Sequence, residues 1–223
     1  MGRKLKKVKP LIYVFCEGES EQAYTDFLKK QFSDVAVIKR PSSIGLFNEA
    51  KVRFDKDPRF RNSIEETDEI WFFFDVEVKD IGKWEQRIRI IKALRKLRRK
   101  PGVRVRLLMT SGCIEYWLML HYKMYVPPVQ TVADKERIVA ELKTREPSYF
   151  KGDYASTSHI AVQYPTAVIN AEQTVRILLA DGLPGMEDSD ERNQWLYTKC
   201  KTFSTVYEAI NYLEDLSGKE RKV

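Results

Sequence analysis

Apolar residues are distributed along the chain in two alternating rhythms. Residues 11–16, Leu-Ile-Tyr-Val-Phe-Cys, form an unbroken apolar run rich in β-branched and aromatic side chains, which predicts a strand covered on both faces. From Ser20 onward the spacing changes, and Tyr24, Phe27, Leu28 and Phe32 recur as they would on one face of a helix. Residues 35–38 predict a second short strand. The stretch 41–68 is mixed: Pro41-Ser42-Ser43 breaks the chain, 46–54 has helical spacing, and Asp57-Pro58 breaks it again. Residues 69–75, Glu-Ile-Trp-Phe-Phe-Phe-Asp, carry the strongest strand signal. Residues 84–99 then predict an amphipathic helix, with Ile88, Ile91, Leu94 and Leu97 on one stripe and arginines and lysines on the other face, ended by Pro101-Gly102. Residues 103–109 predict a further strand and 114–122 a buried, aromatic-rich helix.

Alternating strands and helices imply an α/β fold, a mostly parallel sheet with helices on both faces. Beyond about residue 125 the strand signal fades. Residues 132–143, 171–179 and 204–216 predict helices, separated by loops at 147–148, 154–159 and 182–185. The organisation expected is therefore a basic arm over 1–10, an α/β core over 11–125, and a mainly helical elaboration over 126–223 packed on that core. No internal repeat or low-complexity tract interrupts it.

Charge changes the picture by its placement. The chain carries a net charge of +7, yet the first nine residues and residues 87–106 hold fifteen basic residues and no acid, so the remainder is net acidic. A basic zone on an acidic body suits a polyanion or a partner with an acidic face, and equally a solvated helix face beside a free tail. No stretch approaches the about 18 uncharged apolar residues of a spanning helix, and no secretory signal precedes the first strand. The three cysteines, Cys16, Cys113 and Cys200, are then expected as reduced thiols in a cytoplasmic protein. With two histidines and no CxxC pair, a cysteine/histidine zinc site is not expected.

In an open parallel sheet the functional crevice lies beyond the carboxyl ends of the strands. Glu17 follows the first strand, Asp75 closes the third with Glu77 two residues on, and Glu115 follows the fourth. Converging carboxylates repel, and all-oxygen ligation selects Mg2+ or Mn2+, an ion suited to a phosphoryl transition state and to activating water. Gly18, between strand and helix, permits a sharp turn and leaves the helix N-terminus open to an anion.

These residues together resemble the TOPRIM domain, the magnesium-dependent fold shared by topoisomerases, primases and OLD-type nucleases. Phe15-Cys16-Glu17-Gly18 matches its glutamate-glycine turn and Asp75-Val76-Glu77 its Asp-x-Asp. More narrowly, the chain resembles the RloB family, through Glu17-Gly18-Glu19-Ser20-Glu21, the acidic strand end, and Thr110-Ser111-Gly112-Cys113-Ile114-Glu115-Tyr116-Trp117-Leu118-Met119-Leu120-His121. Thr198-Lys199-Cys200-Lys201 echoes a lysine-bearing motif near that family's C-terminus. In two places the chain departs from the pattern. Glu77 is one methylene longer than the second Asp, and Gly112 stands in place of Asn-Pro.

The resemblance implies a TOPRIM/Rossmann-like fold and a toxic nuclease effector of a bacterial phage-defence, abortive-infection system, controlled by an AAA-type ATPase partner. In that reading Glu17, Asp75, Glu77 and Glu115 are catalytic, and Glu17, Asp75 and Glu77 hold Mg2+ or Mn2+. Arg95, Arg98, Arg99, Lys199 and Lys201 contact RNA or DNA, with no membrane involved and room left for a homo-oligomer. The rival reading is a non-catalytic TOPRIM-like module that binds nucleic acid or senses infection for the same ATPase. A nucleotidyl transferase is disfavoured by the lack of a primase zinc motif, and a topoisomerase by the lack of room for strand passage. Structural roles stand beside the chemical ones: Asp80 reads as a helix N-cap, His121 as a core histidine, and Glu115 equally as ligand or as buried structural carboxylate.

Overall fold

The structure is a computed structural model that describes residues 9–218. Among those residues the chain forms four strands and ten α-helices, in the order β1 (Leu11–Cys16), α1 (Glu19–Gln31), β2 (Val37–Lys39), α2 (Phe47–Lys56), α3 (Pro58–Arg61), β3 (Thr67–Val76), α4 (Trp84–Leu94), β4 (Arg104–Ser111), α5 (Ile114–Met119), α6 (Val132–Arg145), α7 (Tyr154–Ala161), α8 (Tyr164–Ile177), α9 (Asp190–Lys199) and α10 (Val206–Ser217). The arm expected over 1–10 lies, but for its last two residues, outside the described part.

The strands form one all-parallel sheet of order β2-β1-β3-β4, a Rossmann/TOPRIM-like α/β architecture. β3 shows why it carries the strongest signal. Phe72 and Phe74 face α2, α4 and α9, where Phe47 stacks on Phe72 at 4.1 Å between ring centroids and Tyr197 meets Phe74 at 6.3 Å. Trp71 and Phe73 face the other way, against Tyr212 of α10 and Tyr24 of α1. Such aromatic pairs contribute roughly 1 kcal/mol each beyond their burial. A strand needed by both layers has no polar face to alternate with. The helices beyond residue 126 add Ile138, Leu142, Val175, Leu196 and Leu213 to the same core.

The sheet's edges are treated differently. β2 is three residues long. β4 is covered by the chain just before α10: Ser111 and Thr205 exchange backbone bonds with Phe203 and Met109 at 3.0 and 2.9 Å, and Thr110 bridges Ser204 antiparallel.

Several elements differ from the expected boundaries. α4 ends at Leu94, not near 99. Past Leu94 the side chains of Arg95 and Arg98 are drawn to neighbouring segments, and Pro101 disfavours helix in the residue before it. Residues 154–159, expected as a loop, belong to α7. Its N-cap Asp153 accepts from Ser156 N, and its buried face contains Ser156 and Thr157, so little apolar rhythm announces it. α9 is unannounced for the same reason, since Arg192 and Asn193 are on its buried face. α8 begins at Tyr164 rather than 171. Asp80 caps no helix; it is buried in a 3-10 turn with its carboxylate 2.7 Å from Lys83 and 3.5 Å from Arg87.

Gly112, which replaces Asn-Pro, does not loosen the turn into α5. Its φ of +74° is in the left-handed region, and a Cβ there would meet the Val129 carbonyl oxygen at 2.5 Å. Its N–H donates to Val76 O at 3.0 Å, which ties the ends of β3 and β4 together. Gly112→Ala is therefore expected to lower stability by about 1–3 kcal/mol from backbone strain alone, and more from the clash. The midpoint of urea unfolding measures this; an unchanged midpoint would show that the turn tolerates a side chain.

Candidate active site

The chain order places β2 on one side of β1 and β3 on the other, so the topological switch point lies between β1 and β3. Glu17 and Asp75 flank it. Glu17 N donates to Phe73 O at 3.0 Å, and Glu17 Oε2 accepts from Asp75 N at 2.8 Å. Glu115 enters from the first turn of α5, fully buried, and its Oε1 accepts from the Tyr149 hydroxyl at 3.0 Å. These residues line a cleft of about 530 Å3 whose opposite wall is α6 and the loop after it, with Lys135, Lys143 and Lys151.

A fourth carboxylate, Glu21, is buried beneath Gly18. It stands in the sequence motif, but nothing in its spacing marks it as part of the site. Its burial and the charges of Glu17 and Glu115 push its carboxyl up to about 7. Asp75 is raised well above the carboxylate range by burial, then by the charges of Glu21, Glu17 and Glu115. Burial also raises Glu17, against the bond from Asp75 N and the charge of Arg87.

Lys151 supplies positive charge to the cluster. Its Nζ is 3.7 Å from Glu115 Oε1. Partial desolvation disfavours the ammonium, but Glu115, Asp75 and Glu21 outweigh it and hold the group above the usual lysine range. Neither Tyr149 nor Lys151 follows a strand, so no pattern along the chain points to either. The loop that carries them is pinned to α1: Gly152 N donates to Ser20 Oγ at 3.0 Å, and at φ +78° a Cβ on Gly152 would meet Glu19 Cβ at 3.0 Å.

Glu77 lines the same cleft but faces its lysine wall. It is ion-paired with both Lys135 and Lys79. Burial opposes its ionisation, yet these two lysines win and hold its carboxyl below the usual range. The extra methylene lets the side chain reach across the cleft to α6.

The donor set fits a hard divalent cation in chemistry. Asp75 Oδ1 and Glu115 Oε2 are buried oxygens without a hydrogen-bond partner. As the side chains stand, no three His, Cys, Asp or Glu residues among the described ones form a group that could hold a metal ion. The carboxylates of Glu17, Asp75 and Glu115 would have to be drawn together around one.

The basic residues singled out in the sequence are elsewhere. Arg95 makes a two-pronged pair with Asp190 at 2.8 and 2.9 Å. Arg98 is bound by Glu65 O, Pro101 O and Asp68. With the exposed Arg99, they sit where β3 and β4 begin, a strand length away from the cleft at the strands' carboxyl ends. Arg87, expected on an exposed face, is buried about 5 Å from the rings of Phe47, Phe74 and Tyr197. Lys199 is exposed, and Lys201 pairs with Asp181 at 3.1 Å while its carbonyl accepts from Ser111 Oγ at the end of β4. His121 is buried between Tyr24 and Trp117, and burial pushes its imidazole down to about 4. All three cysteines are buried and unpaired.

A family model described as RloB-like protein matches residues 12–213. Neither a curated protein nor a solved structure matches the chain. Among the described residues no helix is long and apolar enough to cross a membrane.

The raised Glu21 carboxyl sets a pH dependence. The folded state keeps a proton that the unfolded chain releases near its ordinary value of 4.5, so the stabilisation is full below pH 4.5 and is lost as pH rises through about 7. Without divalent cations, stability is expected to fall between pH 5 and 8 by on the order of 3 kcal/mol. Glu21→Gln should make that limb shallower, with Asp75 and Glu17 keeping a share of it. Urea unfolding across the range reads both, and a profile in wild type as flat as in the variant would remove Glu21 from the cluster.

Proposed function

The chain belongs to the RloB-like family, and from that premise and the carboxylate cleft we propose that it is a magnesium- or manganese-dependent nuclease that hydrolyses phosphodiester bonds in RNA or DNA. The observation that carries this reading is that Glu17 and Asp75, flanking the switch point of a parallel sheet, share one cleft with Glu115, with two buried oxygens lacking partners. Glu17, Asp75 and Glu115 would hold the ion, which when bound would neutralise phosphoryl charge and lower the pKa of a water. Tyr149 fixes Glu115 by its hydrogen bond. Lys151 and Lys143, on the facing wall, offer positive charge to a phosphate entering the cleft. The family resemblance supports the further reading that the nuclease is a phage-defence effector working with an AAA-type ATPase.

One observation favours a second reading, a non-catalytic module that binds nucleic acid for the same ATPase. Glu77, the second acid of the Asp-x-Glu pair, is already neutralised by Lys135 and Lys79.

Glu17→Gln and Asp75→Asn are each expected to lower metal-dependent cleavage about 100-fold or more, the size of losing several kcal/mol of charge stabilisation. Glu77→Gln should change it less than about 10-fold, because Glu77 is held on the far wall. The assay uses single- and double-stranded RNA and DNA, with and without the ATPase. Cleavage that survives in the Glu17→Gln, Asp75→Asn double variant would overturn this site, and a wild type inactive in every arm would favour the binding module.

A second readout is thermal. Protons and a cation compete for the same oxygens, so magnesium should raise the melting temperature more at pH 8 than at pH 6. The rise should vanish in Asp75→Asn; a shift of equal size in that variant would place the ion elsewhere.

A further inference from the structure

A second cleft, of about 460 Å3, opens on the other side of α1, over β1 and β2. Lys29, Lys39, Arg40, Arg53 and Arg59 line it, with no carboxylate among its lining residues. The acids that balance it stand behind the wall. Asp26 grips Arg40 through two bonds of 2.6 and 2.9 Å, Glu49 and Asp57 hold Arg53 at 2.8 and 3.0 Å, and Asp57 also holds Arg59 at 3.0 Å. Pro41 O and Ser43 Oγ take a further bond each from Arg40 and Arg53, so each guanidinium is fixed, with Arg59 leaving one nitrogen free of side-chain partners. Lys29 and Lys39 are exposed and have no carboxylate partner among the described residues, so the cleft keeps surplus positive charge. Its floor is aromatic: Lys39 Nζ is 5.8 Å from the Tyr13 ring centroid, and the Arg53 guanidinium 6.0 Å from that of Phe60.

A short segment of chain joins the wall of this cleft to the carboxylate site. The chain leaving it, residues 41–45, runs to the carboxyl end of β1, where Gly45 N donates to Cys16 O at 3.0 Å, one residue before Glu17. Gln22, on the first turns of α1, holds the same segment through the carbonyls of Ser42 and Ser43. A strand of nucleic acid with its scissile bond near Glu17, if it followed this segment, would be led to the fixed cations of the second cleft.

We propose that this basic cleft binds the phosphate backbone of the nucleic-acid substrate beside the carboxylate site. The inference rests on the nuclease reading for its choice of ligand. It moves the phosphate-binding role away from Arg95, Arg98 and Arg99, which lie at the opposite end of the sheet, where β3 and β4 begin. Fixed guanidinium groups and two unpaired lysines suit a chain of singly charged phosphates, where each neutralised phosphate releases counterions.

The test compares the full chain with a Lys29→Gln, Lys39→Gln double variant in fluorescence anisotropy with a labelled single-stranded oligonucleotide, over a series of salt concentrations. The two lysines are exposed and unpaired, so the melting temperature should not change. Affinity is expected to fall about 10-fold or more at low salt. The slope of log K against log salt should become shallower by roughly 1.4, which is about 0.7 for each of two phosphates that the variant no longer neutralises. A Lys29→Arg, Lys39→Arg variant should bind as the wild type does. Equal affinity and slope in the Gln variant would overturn the proposal, as would wild type that binds no oligonucleotide. Competition by a mononucleotide at the same concentration as the oligonucleotide would also overturn it, in favour of a free-nucleotide site. Binding is measured in the Glu17→Gln background as well. Loss of cleavage there with intact anisotropy leaves this cleft standing, whereas loss of the anisotropy signal in the Lys29→Gln, Lys39→Gln variant leaves the carboxylate site to be judged by the Glu17→Gln arm alone.

Discussion

Carboxylates brought into one poorly solvated crevice resist sharing it, and this repulsion organises the molecule. Two unit charges 4 Å apart repel by about 4 kcal/mol at an effective dielectric of 20, so Glu17, Glu21, Asp75 and Glu115 cannot all ionise side by side without compensation. Protons supply part of it, as the raised Glu21 and Asp75 carboxyls show. Lys151 supplies another part. A parallel sheet makes such an arrangement attainable because each strand ends at the same edge, where rigid backbone, not a mobile loop, presents the acid.

The helices beyond residue 126 acquire their meaning from that repulsion. They complete the hydrophobic core, but they also carry the positive half of the cleft: Lys135 and Lys143 on α6, Lys151 and Tyr149 in the following loop. The junction between the halves is tight, with Gly152 docked on Ser20 and Gly112 pressed against Val129. The α/β half alone would present uncompensated acids. The elaboration is part of the site.

Features governed by local pattern were legible in the sequence. β1 and β3 declare themselves because strands buried on both faces have only apolar residues to offer, and that Glu17, Asp75 and Glu115 share one cleft was legible because topology tells at which edge the strands end. Charge was misleading because composition does not reveal partners. Arg87 and Arg95 look alike in a basic run, yet one is buried among three aromatic rings and the other grips Asp190, 95 positions away. Of the two lysines that hold Glu77, Lys135 comes from α6 across the cleft and could not be read from the position of Glu77 after β3. α7 and α9 were invisible because their inward faces carry Ser156, Thr157, Arg192 and Asn193, residues a hydrophobic rhythm cannot register. Tyr149 and Lys151 reach the site through tertiary docking alone.

The treatment of the sheet's borders has a consequence for how the chain behaves while it is being made. A parallel sheet of four strands offers two rows of open backbone groups, and such rows recruit other chains. One row is only three residues long. The other, along β4, is masked by Phe203, Ser204 and Thr205, and Ser204 follows its bridge partner Thr110 by 94 residues. Until the ribosome has delivered that segment, the β4 border stays uncovered beside the aromatic β3. The nascent protein is therefore most vulnerable to self-association in this interval, when its sheet is complete and its masking segment is not. Truncations that remove α10 together with this segment would carry the same liability permanently, as insoluble protein and not merely as a less stable one.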